Sequence, residues 1–226
     1  MKSTMKKTMK TIFATILIAA CAHSAWADGL ERLEGFVKTV TSGRADFTQV
    51  VTSPAKEGQA ARSKTSTGTF EFARPNRFKF IYQKPFEQSI VADGQTLWLY
   101  DADLNQVTAR KQARALGSTP AALIAAAPDL RALQADFTLV SAPDKDGLQW
   151  VLATPKGKDG QLQTVRVGFR ATEKSAGKAS ELAALEILDS FGQRSVLSFS
   201  KVEVNPSLPP DTFRFTPPKG ADVIRQ

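Results

Sequence analysis

The stretch "GTFEFARPNRFKFIY", residues 68–82, places two runs of aromatic residues on either side of an Arg-Pro-Asn turn. In a β-strand, side chains two positions apart point to the same face. Phe70, Phe72 and Arg74 therefore share a face on the first strand, and the second strand repeats the alternation. The pattern predicts a hairpin with one aromatic face and a permanent cation at the end of that face.

The same period of two continues on both sides of this hairpin. Residues 45–50 alternate before it, while residues 51–64 are polar and typical of a turn. After it, "DG" at 93–94 joins Ile90-Val91 to the run Leu97–Tyr100, which indicates a second hairpin. The segment from residue 45 to residue 100 is therefore predicted to be a series of antiparallel strands.

Two segments have helical spacing. Leu30, Leu33, Val37 and Val40 predict an amphipathic helix over residues 28–41. A second helical region is predicted over residues 117–133. There Pro120 suits the first helical position, Pro128 ends or kinks the helix, and Asp129 starts a second short one.

Strands resume in the second half of the chain. They are predicted around 137–140, 150–153 and 165–169, and in a hairpin of 182–188 with 196–204 turned at 191–193. The Pro-rich tail, 208–224, is predicted to be a terminal or edge segment. Many short strands separated by turns favour a sandwich or barrel. The predicted fold class is mainly β with a helical insert and about ten to eleven antiparallel strands.

The N-terminus has the features of a secretory signal. A basic start, an apolar stretch from Thr11 to Ala22, and the small residues of Ala25-Trp26-Ala27 predict that residues 1–27 are cleaved. Residues 28–226 would then form a single domain. An alternative is that Cys21, preceded by "IAA", is lipidated and anchors the protein in a membrane.

Composition narrows the possible functions once residues 1–27 are set aside. Cys21, His23 and all three Met lie in that segment, and the formal charge falls from +8 to +4 because four of the 30 basic residues leave with it. The remaining chain lacks the His and Cys of Ser-His-Asp triads, thiol nucleophiles and common zinc sites. It also shows no basic, aromatic-rich cluster for nucleic acid. Most enzyme chemistry is thereby excluded, and we expect no cofactor, no metal and no enzymatic activity.

One acidic motif resembles the start of a calcium-binding loop. Asp101, Asp103 and Asn105 have the spacing, but Gln106 replaces the required Gly and Gln112 the required Glu. The motif is interpreted as a polar turn between two strands.

The segment "RPNRFKFIYQKPFEQSIVADGQTLWLYDADLNQVT" (74–108) resembles the signature region of the LolA family of periplasmic outer-membrane lipoprotein carriers. "STPAALI" (118–124) and "FRFTPPKGADVI" (213–224) match in order, so the resemblance covers essentially all of 28–226. It implies an incomplete antiparallel β-barrel whose helical lid covers an apolar cavity. It also implies a soluble monomer in the periplasm. This monomer would take acylated lipoproteins from an inner-membrane lipoprotein-releasing ABC transporter to an outer-membrane receptor.

The resemblance also gives Arg74 a role. In the family, an arginine at this place donates hydrogen bonds to backbone carbonyls of the lid and holds it shut. A guanidinium has five donors and stays charged, so its burial requires acceptors. The ends of helices offer unpaired carbonyls. The alternative is that Arg74 extends from a strand end to water.

The remaining candidate residues belong to the cavity and the lid. Either they line an acyl-binding cavity or they form an ordinary packed core, and alternation leaves the direction of Trp98 open. The predicted cavity residues are Phe47, Phe70, Phe72, Phe78, Phe80 and Trp98. The predicted lid residues are Pro120, Leu123, Ile124, Leu130 and Leu133.

Other functions stay open from sequence. One is a membrane-anchored receptor of the same fold, LolB-like and lipidated at Cys21. Another is a periplasmic enzyme that acts on acylated substrates through Asp or Lys side chains, although no paired-carboxylate spacing supports it. The last is a structural module that binds no lipid.

Overall fold

A computed structural model describes residues 29–55, 58, 60–115, 127–157, 160–171 and 180–226. The predicted signal segment 1–27, with Cys21, lies outside these residues. The first element is helix α1 (Gly29–Thr39), which buries Leu33, Phe36 and Val37 along one side. This is the amphipathic helix that the apolar spacing predicts.

Twelve strands and two further helices follow within the described residues. The strands are β1 (Ser42–Ser53), β2 (Arg62–Ala73), β3 (Arg77–Lys84), β4 (Gln88–Asp93), β5 (Thr96–Asp101), β6 (Gln106–Lys111), β7 (Phe137–Lys145), β8 (Leu148–Pro155), β9 (Leu162–Ala171), β10 (Ser180–Asp189), β11 (Arg194–Val204) and β12 (Asp222–Arg225). The helices are α2 (Gln112–Ala115) and α3 (Leu130–Asp136).

All twelve strands belong to one open sheet. Its order is β12-β6-β5-β4-β3-β2-β1-β11-β10-β9-β8-β7, so most neighbours in space are also neighbours in sequence. The antiparallel pair β1–β11 joins the two halves of the chain. The predicted mainly β fold with a helical insert is confirmed.

The strand count and the orientation of the last strand differ from the prediction. There are twelve strands, not ten to eleven, because the tail supplies β12. This strand lies at the edge of the sheet, as expected, but pairs parallel to β6. A four-residue strand after a Pro-rich segment is too short to show alternation in sequence.

The polar stretch 51–64 is another correction. β1 continues to Ser53 and β2 begins at Arg62, with Thr52 opposite Ser63 in the ladder. Thr and Val suit a half-exposed strand even where the composition is polar. The predicted turn is therefore shorter than the polar stretch.

Turn chemistry places several chain reversals where the sequence predicts them. Gly94 (φ +104°) lies in the β4–β5 turn and Gly192 (φ +79°) in the β10–β11 turn, both in conformations that favour glycine. Residues 102–105 form the polar turn between β5 and β6. Asp129 caps α3, because its carboxylate accepts a hydrogen bond of 2.9 Å from the amide of Ala132.

The sheet has an inner face that carries the main core. Buried residues from β1–β5 and β7–β11 form one cluster with α1 and α3. Strands as far apart in the order as β5 and β7 contribute to this single cluster, so the sheet curls around its contents. Among the described residues, no helix has the length and apolar character needed to cross a bilayer.

Candidate functional site

Aromatic side chains form the centre of the inner face. Phe70 stacks on Phe80 with 4.4 Å between ring centroids, and Phe47 meets Phe80 edge to face at 5.6 Å. Phe47, Phe70, Phe72, Phe78 and Phe80 are all at least 94% buried. Five of the six predicted cavity residues therefore lie together, on the face that the alternation in residues 68–82 predicts.

The inner face is closely packed in this structure. Between α1 and strands β1, β2, β10 and β11, the void beside Phe36, Phe72 and Phe199 measures about 10 Å³. A space of this size holds one water molecule at most. Around these three residues the inner face is thus filled by side chains, and an acyl chain could lie among them only if side chains or helices moved apart.

Trp98 is a correction, because it lies on the outer face of the sheet. Its indole stacks on Phe215 of the C-terminal tail at 5.3 Å and donates a hydrogen bond of 2.8 Å to Asp93 Oδ2. Its neighbours Leu97 and Leu99 point inward and belong to the core. The run Leu-Trp-Leu-Tyr is apolar on both faces, so sequence alternation could not assign its sides.

Arg74 joins three parts of the molecule. It follows β2 in the turn 74–76, and its Nε donates to the carbonyl of Val40 at 2.8 Å. Its Nη1 donates to the carbonyl of Ala127, also at 2.8 Å. We call residues 127–136, which comprise Ala127 and helix α3, the helical cover. Arg74 therefore connects the sheet with the end of α1 and with the first residue of the helical cover.

The surroundings of Arg74 are largely apolar. Its guanidinium lies over the rings of Phe36 and Phe72, at 5.5 and 5.6 Å from their centroids. Burial lowers the pKa of the Arg74 guanidinium to about 10, so the group remains charged at neutral pH. Among the described residues, its buried Nη2 has no hydrogen-bond acceptor. The two hydrogen bonds to Val40 and Ala127 therefore compensate the buried charge of Arg74 only in part.

Two residues from distant segments donate hydrogen bonds to backbone carbonyls at the end of α1 and directly after it. The side chain of Arg74 donates to the carbonyl of Val40, and the amide of Arg74 donates to the carbonyl of Thr41. Asn205, after β11, donates through Nδ2 to the carbonyl of Thr39 at 3.0 Å. These bonds satisfy a helix end that would otherwise leave unpaired acceptors.

Gln112 is a second polar residue of this region, and in the sequence it stands out only where a calcium-binding loop would require Glu. It is 1% exposed, and its Oε1 accepts from the amide of Gly94 at 2.9 Å. Its Nε2 donates to the carbonyl of Asn76, in the same turn as Arg74. Gln112 thus joins two hairpin turns through hydrogen bonds. In the sequence it is recognisable only as a polar residue directly after β6.

The predicted lid residues divide between described and undescribed positions. Leu133 is buried in the core cluster, and Leu130 packs against it while remaining half-buried. Pro120, Leu123 and Ile124 lie outside the described residues. The helical cover therefore contributes at least one apolar side chain, that of Leu133, to the core of the inner face.

Side chains that could bind a metal ion lie apart from one another in the described part of the chain. No cluster of three or more His, Cys, Asp or Glu side chains suited to a metal ion occurs there. The features that stand out are an apolar interior and one charged contact that closes it. Together they make the inner face the candidate site for an apolar ligand.

Comparison with known proteins agrees with this class of site. The family model for the outer membrane lipoprotein carrier protein LolA matches residues 38–216. The outer-membrane lipoprotein carrier protein of Albidiferax ferrireducens is 78% identical over 214 residues, which cover 95% of this chain and 99% of that protein. The protein of the same name from Methylibium petroleiphilum is 52% identical, with 98% and 100% covered. This chain belongs to the LolA family.

A solved structure supports the architecture alone. The crystal structure of a DUF1329 family protein from Desulfovibrio piger aligns with a TM-score of 0.50 at 12% identity. The alignment covers 82% of this chain and 95% of that one. The open, curled sheet is therefore shared by a protein of very different sequence.

Proposed function

We propose that this protein is a periplasmic carrier of lipoproteins. It binds the acyl chains of lipoproteins that an inner-membrane ABC transporter releases, and delivers them to a receptor at the outer membrane. The observation that carries the proposal is membership of the LolA family, supported by relatives named as outer-membrane lipoprotein carrier proteins. The Phe-rich inner face is the surface that acyl chains would contact.

The energetics of such a carrier follow from the packing of the core. Each CH₂ group moved from water into an apolar site gains about 0.8 kcal/mol. Twelve such groups are stabilised by roughly 10 kcal/mol relative to a lipoprotein exposed to water, so acyl chains that have left the membrane remain in the carrier. Because chains that come from a bilayer are already out of water, the contacts that close the inner face must be few and local if entry is to open it.

Arg74 is the residue proposed to set this balance. Its bonds to Val40 and Ala127 hold α1 and the helical cover against the sheet in the absence of cargo. Opening must then be driven by part of the cargo's binding free energy, which lowers the apparent affinity. Binding that is weakened in this way allows the carrier to give up its cargo to the receptor.

A release assay tests the proposal directly. Spheroplasts that contain an acylated lipoprotein are incubated with the purified protein, and the supernatant is examined for a soluble one-to-one complex. We expect release in the presence of this protein and none with bovine serum albumin at the same concentration. Equal release by both proteins would contradict the proposal.

The N-terminus gives a second, independent test. A soluble carrier should begin at Asp28 after cleavage, whereas a membrane-anchored receptor would retain a diacylglyceryl group on Cys21. Intact-mass spectrometry of the protein from a periplasmic extract distinguishes the two. Recovery of the chain mainly as an acylated membrane species would favour the receptor.

A further inference from the structure

Along five strands of the inner face, apolar side chains give way to polar ones in the same direction, while Val51, Phe86 and Leu104 keep some apolar groups at the polar end. On β2, Phe72 and Phe70 give way to Ser66 and Lys64 as the strand runs away from Arg74. The neighbours follow the same course. Along the inner face, β1 passes from Phe47 to Gln49, β3 from Phe80 to Tyr82, β4 from Ile90 to Gln88, and β5 from Leu99 to Asp101.

An open cavity lies at the polar end of these strands. Its volume is about 830 Å³, and Gln49, Ser66, Tyr82 and Gln88 are among the residues that line it. The ring of Tyr82 packs edge to face on Phe47 with 5.0 Å between centroids. The cavity is therefore continuous with the aromatic cluster, and Tyr82 lies at the boundary between them.

The dimensions of the apolar section match one lipid leaflet. From Phe72 to Gly68 is four residues, or about 13 Å of strand. The hydrocarbon core of a bilayer is about 30 Å thick, so one leaflet spans about 15 Å. An acyl chain that lies along the Phe residues would therefore place its polar end beside Ser66 and Tyr82.

We propose that the open cavity binds the polar head of the cargo, while the acyl chains point toward Phe72 and Arg74. The head is the lipid-modified cysteine itself: its glyceryl thioether, its ester and amide carbonyls, and the first residues of the attached peptide. This inference rests on the proposed carrier function and adds a binding subsite and an orientation to it.

The side chains at the cavity suit that ligand. Ester and amide carbonyls are hydrogen-bond acceptors, and Tyr82, Gln88, Arg62 and Lys64 offer donors along its wall. Burial raises the pKa of the Tyr82 hydroxyl to about 12, so it remains a donor at physiological pH. The peptide, which must stay in water, can leave through the open end without crossing the packed core.

Disulfide trapping tests the orientation. Residues 28–226 contain no cysteine, so one introduced thiol is unique when Cys21 is also replaced by Ser. The probe is a synthetic tripalmitoylated lipopeptide whose third residue is a cysteine held as a mixed disulfide with thionitrobenzoate, so that attack by the protein thiolate forms the new disulfide and releases thionitrobenzoate without an added oxidant. Ser66→Cys places the thiol in the cavity. Thr67→Cys is the matched control, because the two residues are adjacent and half-buried but point to opposite faces of β2.

A third variant reports the reversed orientation. Thr41→Cys places an exposed thiol at the Arg74 end, where the carbonyl of Thr41 accepts from the amide of Arg74. Binding of the lipopeptide to each variant is first verified by co-elution in gel filtration. We expect the disulfide to form at least tenfold faster with Ser66→Cys than with either of the other two.

The outcomes separate this inference from the proposed function. If the lipopeptide binds but reacts faster at Thr41→Cys, the orientation is reversed and the inference is wrong. If it binds and reacts equally at Ser66→Cys and Thr67→Cys, the cavity does not hold the head, and the inference is again wrong. A lipopeptide that binds to none of the variants, nor to the unmodified protein, refutes the carrier function together with the subsite.

Discussion

Replacement of Arg74 by leucine should convert the protein from a carrier into a trap for its cargo. The substitution removes both 2.8 Å hydrogen bonds, to Val40 and Ala127, and adds apolar surface to the inner face. We expect Arg74→Leu to accept lipoprotein from the inner membrane but to pass little of it on. Loaded protein should accumulate in soluble form.

The size of the effect can be worked out from the contacts of Arg74. Two hydrogen bonds to a charged group contribute about 3–6 kcal/mol in all. The buried Nη2, which has no acceptor among the described residues, costs about 1–3 kcal/mol. The net preference for the closed arrangement is then on the order of 2 kcal/mol, or roughly 30-fold in equilibrium constant. Arg74→Leu should raise the affinity for cargo by up to that factor.

The assay has two steps, so that capture and delivery are measured separately. Release of a radiolabelled lipoprotein from spheroplasts measures capture, and its incorporation into outer-membrane vesicles measures delivery. Arg77→Leu is a matched control, because Arg77 lies three residues away and its guanidinium lies over Phe213 of the C-terminal tail, on the outer face. Arg74→Lys should lie between wild type and Arg74→Leu, since an ammonium group cannot reproduce the planar fork.

Delivery by Arg74→Leu at the rate of the wild-type protein would refute this reasoning. So would equal loss of delivery in Arg74→Leu and Arg77→Leu, because the effect would then come from lost charge and not from the contact. A variant that captures less lipoprotein than wild type would show that Arg74 assists entry, the opposite of the expected role.

Four further substitutions test other parts of the account. Phe78 is completely buried, so Phe78→Ala should lower the free energy of unfolding by about 3–5 kcal/mol in urea titration and weaken lipopeptide binding. Gln112→Leu should lower the free energy of unfolding by about 1–3 kcal/mol, because two backbone groups lose their hydrogen-bond partner. It should also reduce delivery of cargo, because one of these groups lies in the turn that carries Arg74. Unchanged delivery would show that Gln112 has only a structural role. Gly68→Ala should destabilise by more than about 2 kcal/mol in thermal melts, because the new Cβ would lie 1.9 Å from the carbonyl oxygen of Ile81. Burial alone would raise the pKa of the Asp93 carboxyl, but the hydrogen bonds that it accepts have the larger effect and lower its pKa below the ordinary 3.8. The ionised carboxylate therefore stabilises the fold above pH 4, and this stabilisation is lost as the pH falls further. Asp93→Asn should accordingly make the melting temperature less dependent on pH in the acid range.

The features that sequence predicts well are those that a local pattern determines. Alternation in residues 68–82 is enough to place Phe70, Phe72 and Arg74 on one face, because a strand has a strict period of two. Helical spacing locates α1, and Asp129 marks the start of α3. The resemblance to the LolA family then supplies a reason for Arg74 to be buried.

The features that sequence misses depend on contacts between distant segments. Trp98 faces outward because Phe215, far along the chain, covers that side of β5. The acceptors for Arg74 are the backbone carbonyls of Val40 and Ala127, and any residue type could provide them. Gln112 looks like an ordinary polar residue until the two hairpin turns that it joins are seen together.

A curled sheet that never closes keeps two free edges, and each edge could template the addition of a strand from another copy of the chain. At one edge, β12 covers β6 and is itself only four residues long, which leaves a short template. At the other, β7 ends in exposed Pro143, Asp144 and Lys145 and bulges between Ala142 and Lys145, which makes it a poor template. The C-terminal residues are therefore a shield against self-association as well as part of the sheet. Loss of residues 222–226 would uncover the edge of β6 and favour edge-to-edge aggregation, even though the Phe-rich interior stayed intact.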